Sequence, residues 1–162
     1  FKPSEEETFV REGLHVGEGA IREEAAYLLD AIAGGYSRVP PTTVATLHLR
    51  LKHGKSSCGA IQRFMDCAVG GLDDFAMPWE AVEADAFIPC SAIHSIALLD
   101  LRLFNTDRHV GNLLVLGTSQ PHGLVPIDHG CILPSWFHLS EGRFDWSVFP
   151  QAAVPFSRTL MS

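Results

Sequence analysis

The chain has 162 residues, enough for one ordinary domain or two small lobes, and its 46% hydrophobic and 19% charged residues suit a folded globular protein. A formal net charge of −7 argues against a nucleic-acid-binding protein, and no apolar run is long enough for a transmembrane segment. The four cysteines form no CxxC pair, which argues against a zinc site and favours an intracellular protein with reduced thiols.

The first predicted elements are a strand end and a helix. Lys2 precedes a proline at the end of a short strand, where it either reaches a phosphate or simply lies at the surface. Helical spacing predicts a helix over residues 16–33, ended by a glycine pair. Glu23 lies off the apolar stripe, so periodicity favours a solvated acid over a partner for Lys2. The stripe expected to be buried consists of Ile21, Ala25, Leu28, Leu29 and Ile32.

Two strands, a linker and a second helix follow. Alternating and β-branched residues predict strands over 42–52 and 58–65, joined by a hairpin-like connection. Residues 68–85 contain glycines, acidic residues and a proline, and they predict a loop that links two lobes. Residues 92–104 are apolar nearly all round, which is typical of a buried central helix.

A polar motif lies between this helix and a predicted β-hairpin of residues 113–116 and 124–127. Asp107 and Asn112 are five positions apart, and Asp128 follows sixteen residues later in Pro-Ile-Asp-His-Gly. The hairpin brings Asn112 and Asp128 side by side, and a carboxylate with an amide oxygen suits a divalent metal ion. Protein kinases space a catalytic acid, a metal-binding Asn and a metal-binding Asp in the same way. The motif therefore predicts ATP-dependent phosphoryl transfer.

Two hydrolase interpretations compete with this one. His109 and Asp128 are the residue types of a hydrolase triad, but the chain lacks the Gly-x-Ser-x-Gly nucleophile motif. A metal hydrolase that uses Asp107, His109 and Asp128 would leave Lys2 and Asn112 unexplained. The aromatic residues that follow either line a substrate groove or cover the core; they are Trp136, Phe137, Phe144, Trp146, Phe149 and Phe156.

Together these motifs resemble the phosphatidylinositol 3-/4-kinase superfamily, and within it the gamma class of phosphatidylinositol 4-kinases, plant-type kinases that also carry ubiquitin-like domains. The resemblance runs from end to end of the chain in the family's order. The matching stretches are Phe1-Lys2-Pro3 with Glu6-Glu7, Val16-Gly17-Glu18, Arg22-Glu23, Ala25-Ala26-Tyr27-Leu28-Leu29-Asp30, Val39-Pro40-Pro41-Thr42, Ile61-Gln62-Arg63-Phe64, residues 103–115, residues 126–130, Phe149-Pro150-Gln151 and Pro155-Phe156-Ser157.

The resemblance implies an ATP site and a magnesium site. Lys2 is implied to bind the ATP phosphates, with Glu7 or Glu23 as its partner, and Asn112 and Asp128 are implied to hold Mg²⁺. The implied adenine hinge consists of Gln62, Arg63, Phe64 and Met65. The implied catalytic loop contains Asp107, Arg108, His109 and Asn112, and either Asp107 or His109 handles the proton of the attacking hydroxyl group.

The implied fold is α+β, a two-lobed protein-kinase-like fold truncated at both ends. We expect residues 1–66 to form part of the N-terminal lobe and residues 67–162 part of the C-terminal lobe. The family's glycine loop should precede Phe1 and its C-terminal helices should follow Ser157, so we expect a fragment of the catalytic domain.

The implied function is transfer of phosphoryl from ATP to the 4-hydroxyl of phosphatidylinositol. We expect an intracellular protein, cytoplasmic or peripheral at membranes, with no nucleic-acid partner. A protein Ser/Thr kinase is an alternative, because His138 and Arg143 are the only basic residues between Gly130 and Phe156. An inactive, pseudokinase-like interaction module is the second alternative.

Overall fold

The computed structural model of the chain describes residues 1–7, 11–48, 56–75 and 84–158. Within these ranges, helices and antiparallel sheets both occur, which confirms the predicted α+β class. The elements are β1 (Lys2–Pro3), α1 (Gly19–Ile32), β2 (Thr42–His48), β3 (Ser56–Gln62), β4 (Ala68–Gly71), α2 (Ala84–Phe87), α3 (Cys90–Leu103), β5 (Leu113–Leu116) and β6 (Gly123–Pro126).

The first sheet has the strand order β1-β3-β2, and both strand pairs are antiparallel. Lys2 lies opposite Ala60, and Pro3 lies opposite Gly59. A Cβ atom at Gly59 would lie 2.2 Å from the Lys2 carbonyl oxygen, so glycine is what allows β1 to approach β3 this closely. The strand predicted over 42–52 is confirmed as far as residue 48, and residues 49–55 lie outside the described part of the chain. The strand predicted over 58–65 is confirmed with shifted bounds, since β3 starts at residue 56 and ends at residue 62.

Helix α1 packs against the first sheet, but not through its apolar stripe. Ile21 is 60% exposed and Ile32 is 84% exposed, and Leu28 and Leu29 are exposed as well. The buried positions of the helix are Ala20, Glu23, Ala26 and Asp30. The predicted stripe is therefore wrong as a buried face, and the prediction of a solvated Glu23 is wrong too.

Carboxylates on α1 account for this orientation, because they bind backbone donors of the following segment. The Asp30 carboxylate accepts hydrogen bonds from the backbone N–H groups of Ser37 and Val39, at 3.1 and 3.0 Å. The Glu24 carboxylate accepts from the Thr43 hydroxyl and from the Val44 N–H, at 2.7 and 3.1 Å. These bonds connect α1 to β2 and satisfy donors that would otherwise be left without partners.

The second sheet has the order β4-β5-β6, again antiparallel. The predicted hairpin is confirmed as β5 and β6, with Leu113 opposite Pro126. The prediction of a loop over 68–85 is wrong at its start, because residues 68–71 pair with β5 as strand β4. It is also wrong at its end, where α2 begins, while residues 76–83 lie outside the described ranges.

Helix α3 is buried, as predicted, and it packs on the second sheet. Its residues Ile93, Ile96 and Ala97 join a core cluster with residues of β5 and β6. The aromatic residues of the C-terminal segment divide between core and surface: Trp146 and Phe149 belong to the same cluster, whereas Trp136 and Phe137 are 72% and 69% exposed. In the described residues, no helix combines the length and apolar character that crossing a bilayer requires.

Candidate active site

Three charged residues that the sequence predicts for one site meet where the two sheets face each other. Lys2 Nζ donates to Asp128 Oδ1 at 2.8 Å and lies 3.5 Å from Glu23 Oε1. Lys2 is carried by β1, Glu23 by α1, and Asp128 by the segment that follows β6. Burial alone would lower the pKa of Lys2, but the hydrogen bond and charge of Asp128 and the charge of Glu23 outweigh it and raise that pKa.

Glu23 is held from its other side by His129. The backbone N–H of His129 donates to Glu23 Oε2 at 3.0 Å, and the His129 Nδ1 atom lies 3.6 Å from the same oxygen. Burial opposes the charge of Glu23, but the hydrogen bonds and charge of His129 and the charge of Lys2 prevail and lower the pKa of Glu23 to about 2. Glu23 is therefore an ionised carboxylate in the interior at neutral pH.

Glu7 takes a different position from the one implied for a partner of Lys2. Its Oε2 atom accepts hydrogen bonds from the backbone N–H groups of Gly17 and Gly19, at 2.9 and 3.2 Å. These donors lie at the start of α1, where N–H groups lack partners within the helix and a negative charge is favourable. Of the two acids proposed as the partner of Lys2, Glu23 is the one that the structure places beside it.

The predicted hinge lines a cleft of about 550 Å³ together with Lys2 and Glu23. The hinge follows β3 directly, and it is anchored by a hydrogen bond from the Arg63 N–H to the Pro41 carbonyl at 2.8 Å. Phe64 is 86% exposed at the rim. The hinge residues on the cleft wall are Gln62, Arg63, Phe64 and Met65, and the opposite wall includes Gly70, Leu114 and Ile127.

A second cleft of about 400 Å³ lies on the other side of Lys2. Asp107 and Asp128 line it, and so do Glu7 and Cys131. Lys2 lines both clefts, so the two clefts adjoin at this residue.

Asp107 forms an ion pair with Arg11 in the second cleft. Arg11 Nη2 donates to Asp107 Oδ1. The Asp107 N–H in turn donates to the Asn105 side-chain oxygen at 2.9 Å, which fixes the backbone at the start of the loop. The sequence analysis missed Arg11, because an arginine in an irregular segment carries no periodicity or spacing that relates it to the catalytic loop.

Arg108 points away from both clefts into the interior, where its exposed fraction is 0%. Its Nε atom donates to both oxygens of Asp100 on α3, at 3.1 and 3.0 Å, and Nη1 donates to the carbonyls of Asn112 and Ile127, at 2.8 and 2.7 Å. Trp146 Nε1 donates to Asp100 Oδ2 at 2.9 Å. The prediction of Arg108 as a catalytic residue is corrected accordingly: its guanidinium positions the loop between α3 and the hairpin and has no access to a substrate.

Asn112 and Asp128 flank the open end of the hairpin, as their spacing predicts. The Ile127 N–H donates to the Asn112 carbonyl at 3.0 Å, which places the two polar residues at neighbouring positions. Asn112 Nδ2 donates to the Asp107 carbonyl at 3.0 Å and leaves the amide oxygen as the acceptor of that side chain. Within the described ranges, no three His, Cys, Asp or Glu residues form a metal site. One amide oxygen and one carboxylate are oxygen ligands of the kind that Mg²⁺ takes together with phosphate and water oxygens.

His109 belongs to the catalytic loop but does not line either cleft. A Cβ atom at Gly111 would lie 3.1 Å from the His109 ring and 3.2 Å from Asp73 Oδ2, so ring and acid face the same glycine. The resemblance implied that either Asp107 or His109 handles the proton of the attacking hydroxyl group, and the sequence could not decide between them. One missed residue did carry a signal: Asp100 is the one acidic residue of the largely apolar helix α3, eight positions before Arg108.

Comparison with known proteins identifies the family of this chain. The family described as "Phosphatidylinositol 3- and 4-kinase" matches residues 6–162. Phosphatidylinositol 4-kinase gamma 4 of Oryza sativa subsp. japonica is 39% identical over 156 residues, which are 91% of this chain and 26% of that protein. Phosphatidylinositol 4-kinase gamma 3 and gamma 1 of Arabidopsis thaliana are each 37% identical, over 91% and 93% of this chain and 28% of each protein.

The chain thus spans about a quarter of the length of these curated relatives. The family match covers the catalytic-loop motif, Asp128 and the hinge, and it begins after Lys2. The resemblance inferred from the motifs is confirmed: the chain belongs to the phosphatidylinositol 3- and 4-kinase family.

Proposed function

We propose that this chain is part of the catalytic domain of a kinase that transfers phosphoryl from ATP to the 4-hydroxyl of phosphatidylinositol. The observation that carries the proposal is the meeting of Lys2, Glu23 and Asp128 at the junction of two clefts, with Asp107 in the second. The names of the relatives support a lipid acceptor over a protein acceptor and over an inactive module. Because the chain is a quarter of their length, the activity of the whole protein is part of the proposal.

The first cleft is the proposed ATP site. Its apolar walls suit a purine, and the backbone of the segment from Gln62 to Met65 supplies polar groups at one edge. Lys2 lines this cleft, and its ammonium group would pair with phosphate oxygens. Glu23 would keep that ammonium in place, since it is ionised and within 3.5 Å.

Asp107 is the proposed base for the attacking hydroxyl group. It lines the second cleft together with Asp128, whereas His109 does not. As the bond from the hydroxyl oxygen to the γ-phosphorus forms, the bond from that phosphorus to the β–γ bridging oxygen breaks, and the hydroxyl proton passes to the Asp107 carboxylate. Arg11 would hold the carboxylate in this orientation.

Asn112 and Asp128 are the proposed ligands for Mg²⁺. When bound, the ion would neutralise negative charge on the phosphates. Arg108 keeps this end of the hairpin in place, because it donates to the carbonyls of Asn112 and Ile127 while it is paired with Asp100.

We also propose that the two sheets represent the two lobes of a kinase-like fold. The first sheet and α1 fall within residues 1–62, and the second sheet with α2 and α3 falls within residues 68–126. This separation supports the expected boundary near residues 66 and 67, with the hinge between the lobes.

A membrane surface is the proposed location of the acceptor. Trp136 and Phe137 stack with their ring centroids 3.7 Å apart and are largely exposed, in the segment that follows the cleft residue Cys131. Aromatic side chains of this kind favour the interface between lipid and water. We therefore propose an intracellular protein in peripheral contact with a bilayer, and its four free thiols suit a reducing compartment.

The test is phosphoryl transfer by the full-length protein with ATP and Mg²⁺, supplied with phosphatidylinositol vesicles and with a generic protein acceptor in parallel. We expect label in the lipid, and a loss of at least about 100-fold in the Asp128→Ala variant. Glu5→Ala removes an exposed acid outside both clefts and should behave like the wild type. Label only in protein would refute the lipid acceptor, and absence of turnover by the folded wild type would refute the kinase.

A further inference from the structure

His129 is a buried histidine whose ring makes no hydrogen bond within the described residues. Its exposed fraction is 0%, and within the described residues neither ring nitrogen has a hydrogen-bond partner. The nearest acidic oxygen on α1 is Glu23 Oε2, 3.6 Å from Nδ1, which is just beyond hydrogen-bond distance. In either charge state, a histidine ring carries at least one N–H donor.

The backbone of His129 completes a circuit of four residues around the proposed phosphate site. Lys2 donates a hydrogen bond to Asp128, which His129 follows in the chain. The backbone N–H of His129 donates to Glu23, and Glu23 in turn lies 3.5 Å from the Lys2 ammonium group. The circuit connects strand β1, helix α1 and the segment after β6. On its inner side the ring is near the buried pair Asp100 and Arg108, whose charges act on it.

Binding of a phosphate would disturb one side of this circuit. Lys2 Nζ is 2.8 Å from Asp128 and 3.5 Å from Glu23, so a phosphate at Lys2 competes with both carboxylates. If Lys2 moves toward a ligand, the backbone N–H of His129 is the hydrogen-bond donor that Glu23 retains among the described residues. A second hydrogen bond to the same oxygen would hold Glu23 in place. The His129 Nδ1 atom needs to move only a few tenths of an ångström closer to Glu23 Oε2 to donate it.

We propose that His129 is a positioning residue whose imidazole donates to Glu23 when nucleotide binds, and thereby keeps Glu23 beside Lys2. The inference rests on the proposed function, because it assigns the nucleotide phosphates to Lys2. It extends that proposal to a residue whose side chain lines neither cleft and acts only through Glu23.

The test compares His129→Phe, Glu23→Gln and the double variant in the full-length protein. Direct binding of a fluorescent ATP analogue and the kinetic constants for ATP are measured where circular dichroism shows the variants folded. We expect His129→Phe to weaken ATP binding and raise KM for ATP about tenfold, the effect of one hydrogen bond to a charged group, with a smaller change in kcat. The double variant should be no weaker than the Glu23→Gln variant, because the ring acts through that carboxylate.

Two further variants separate positioning from packing. His129→Asn keeps an N–H donor near the place of Nδ1 and should recover part of the affinity that His129→Phe loses. His122→Phe removes another buried imidazole, away from both clefts, and should leave KM for ATP unchanged.

Two outcomes would overturn the inference: wild-type ATP affinity in the His129→Phe variant, or losses that add in the double variant. A folded wild-type protein that binds no ATP analogue would instead refute the proposed function, and the inference with it.

Discussion

Glu23 shows how a single buried carboxylate organises this site. It is 4% exposed, yet it is ionised, because His129 and Lys2 supply a hydrogen bond and positive charge from two sides. A buried charge of this kind is favourable only while its partners stay in place. The stability of the fold and the geometry around Lys2 therefore depend on the same carboxylate.

Stability should consequently depend on pH through Glu23. Its pKa falls from an ordinary 4.5 to about 2 on folding, so its stabilising contribution is fully present above pH 4.5 and is lost as the pH falls from 4.5 through 2. We expect Glu23→Gln to lower the free energy of unfolding at pH 7 by on the order of 3 kcal/mol. In urea titrations, this difference from wild type should shrink steadily between pH 4.5 and 2.

The control for this titration is Glu5→Gln, which removes the charge of an exposed acid. Its free energy of unfolding should follow that of the wild type within a few tenths of a kcal/mol at every pH. A Glu23→Gln penalty that is the same at pH 2 and pH 7 would contradict an ionised Glu23 as its cause.

The positions of the Asp107 and His109 side chains predict which of the two residues acts as the catalytic base. Asp107 lines the cleft and His109 does not, so Asp107→Asn should lower kcat for lipid phosphorylation by about 100-fold or more. His109→Gln should lower it by less than about tenfold, because only the surroundings of the loop change. The measurement is steady-state kinetics with phosphatidylinositol vesicles, and a larger loss for His109→Gln would assign the base to the histidine.

At the scale of elements, the contact between α3 and the catalytic loop depends on one buried ion pair. Arg108 and Asp100 are 0% and 1% exposed, and Trp146 donates to the same carboxylate. Removing one member leaves the other charged and buried, which typically costs about 3–5 kcal/mol. The carbonyls of Asn112 and Ile127 would each lose the hydrogen bond that Arg108 donates.

We therefore expect Arg108→Leu to lower the free energy of unfolding by about 4 kcal/mol and to abolish phosphoryl transfer. Arg143→Leu is the matched control, because Arg143 pairs with Asp145 at the surface and such pairs contribute about 1 kcal/mol at most. Thermal and urea unfolding of both variants provides the measurement. A near-neutral Arg108→Leu variant would show that the pair does not hold the loop.

Helix α1 illustrates which element properties the sequence could predict. Its position followed from helical spacing and the glycine pair, but its orientation did not. Periodicity identifies an apolar face without showing what covers it, and here the inner face carries alanines and the hydrogen-bonded carboxylates Glu23 and Asp30. Such an assignment requires knowledge of donors that lie far away in the chain, such as the His129 N–H.

Strand β4 was missed for a related reason. Two of its four residues are glycines, which have low β propensity, and it pairs with β5 more than forty positions later. By contrast, the sequence was sufficient for the hairpin, because its two strands and their connection depend on local spacing. Local patterns predicted the parts of the site within one segment, whereas the contact between Asp107 and Arg11 required the tertiary fold.

At the scale of the whole molecule, the net charge disfavours an electrostatic contact with a membrane, whereas exposed aromatic rings favour an apolar one. A net charge of −7 gives no general attraction to anionic lipids. The segment after the second cleft is held to the rest of the protein through its backbone: Arg22 Nη1 donates to the Ile132 and Leu133 carbonyls, at 2.5 and 2.8 Å. Further along the same segment, the stacked rings of Trp136 and Phe137 are exposed to solvent.

Loss of both rings should therefore weaken binding to vesicles without changing the nucleotide site. We expect Trp136→Ser with Phe137→Ser to reduce co-sedimentation with phosphatidylcholine vesicles that contain phosphatidylinositol by at least about tenfold, because two largely exposed aromatic rings no longer enter the interface. Affinity for an ATP analogue should stay at the wild-type value. Val148→Ser, which removes an apolar side chain that is 82% exposed elsewhere, should sediment like the wild type. Since the contact is apolar, binding should also persist at raised salt, and binding that disappears with salt would assign it to charge instead.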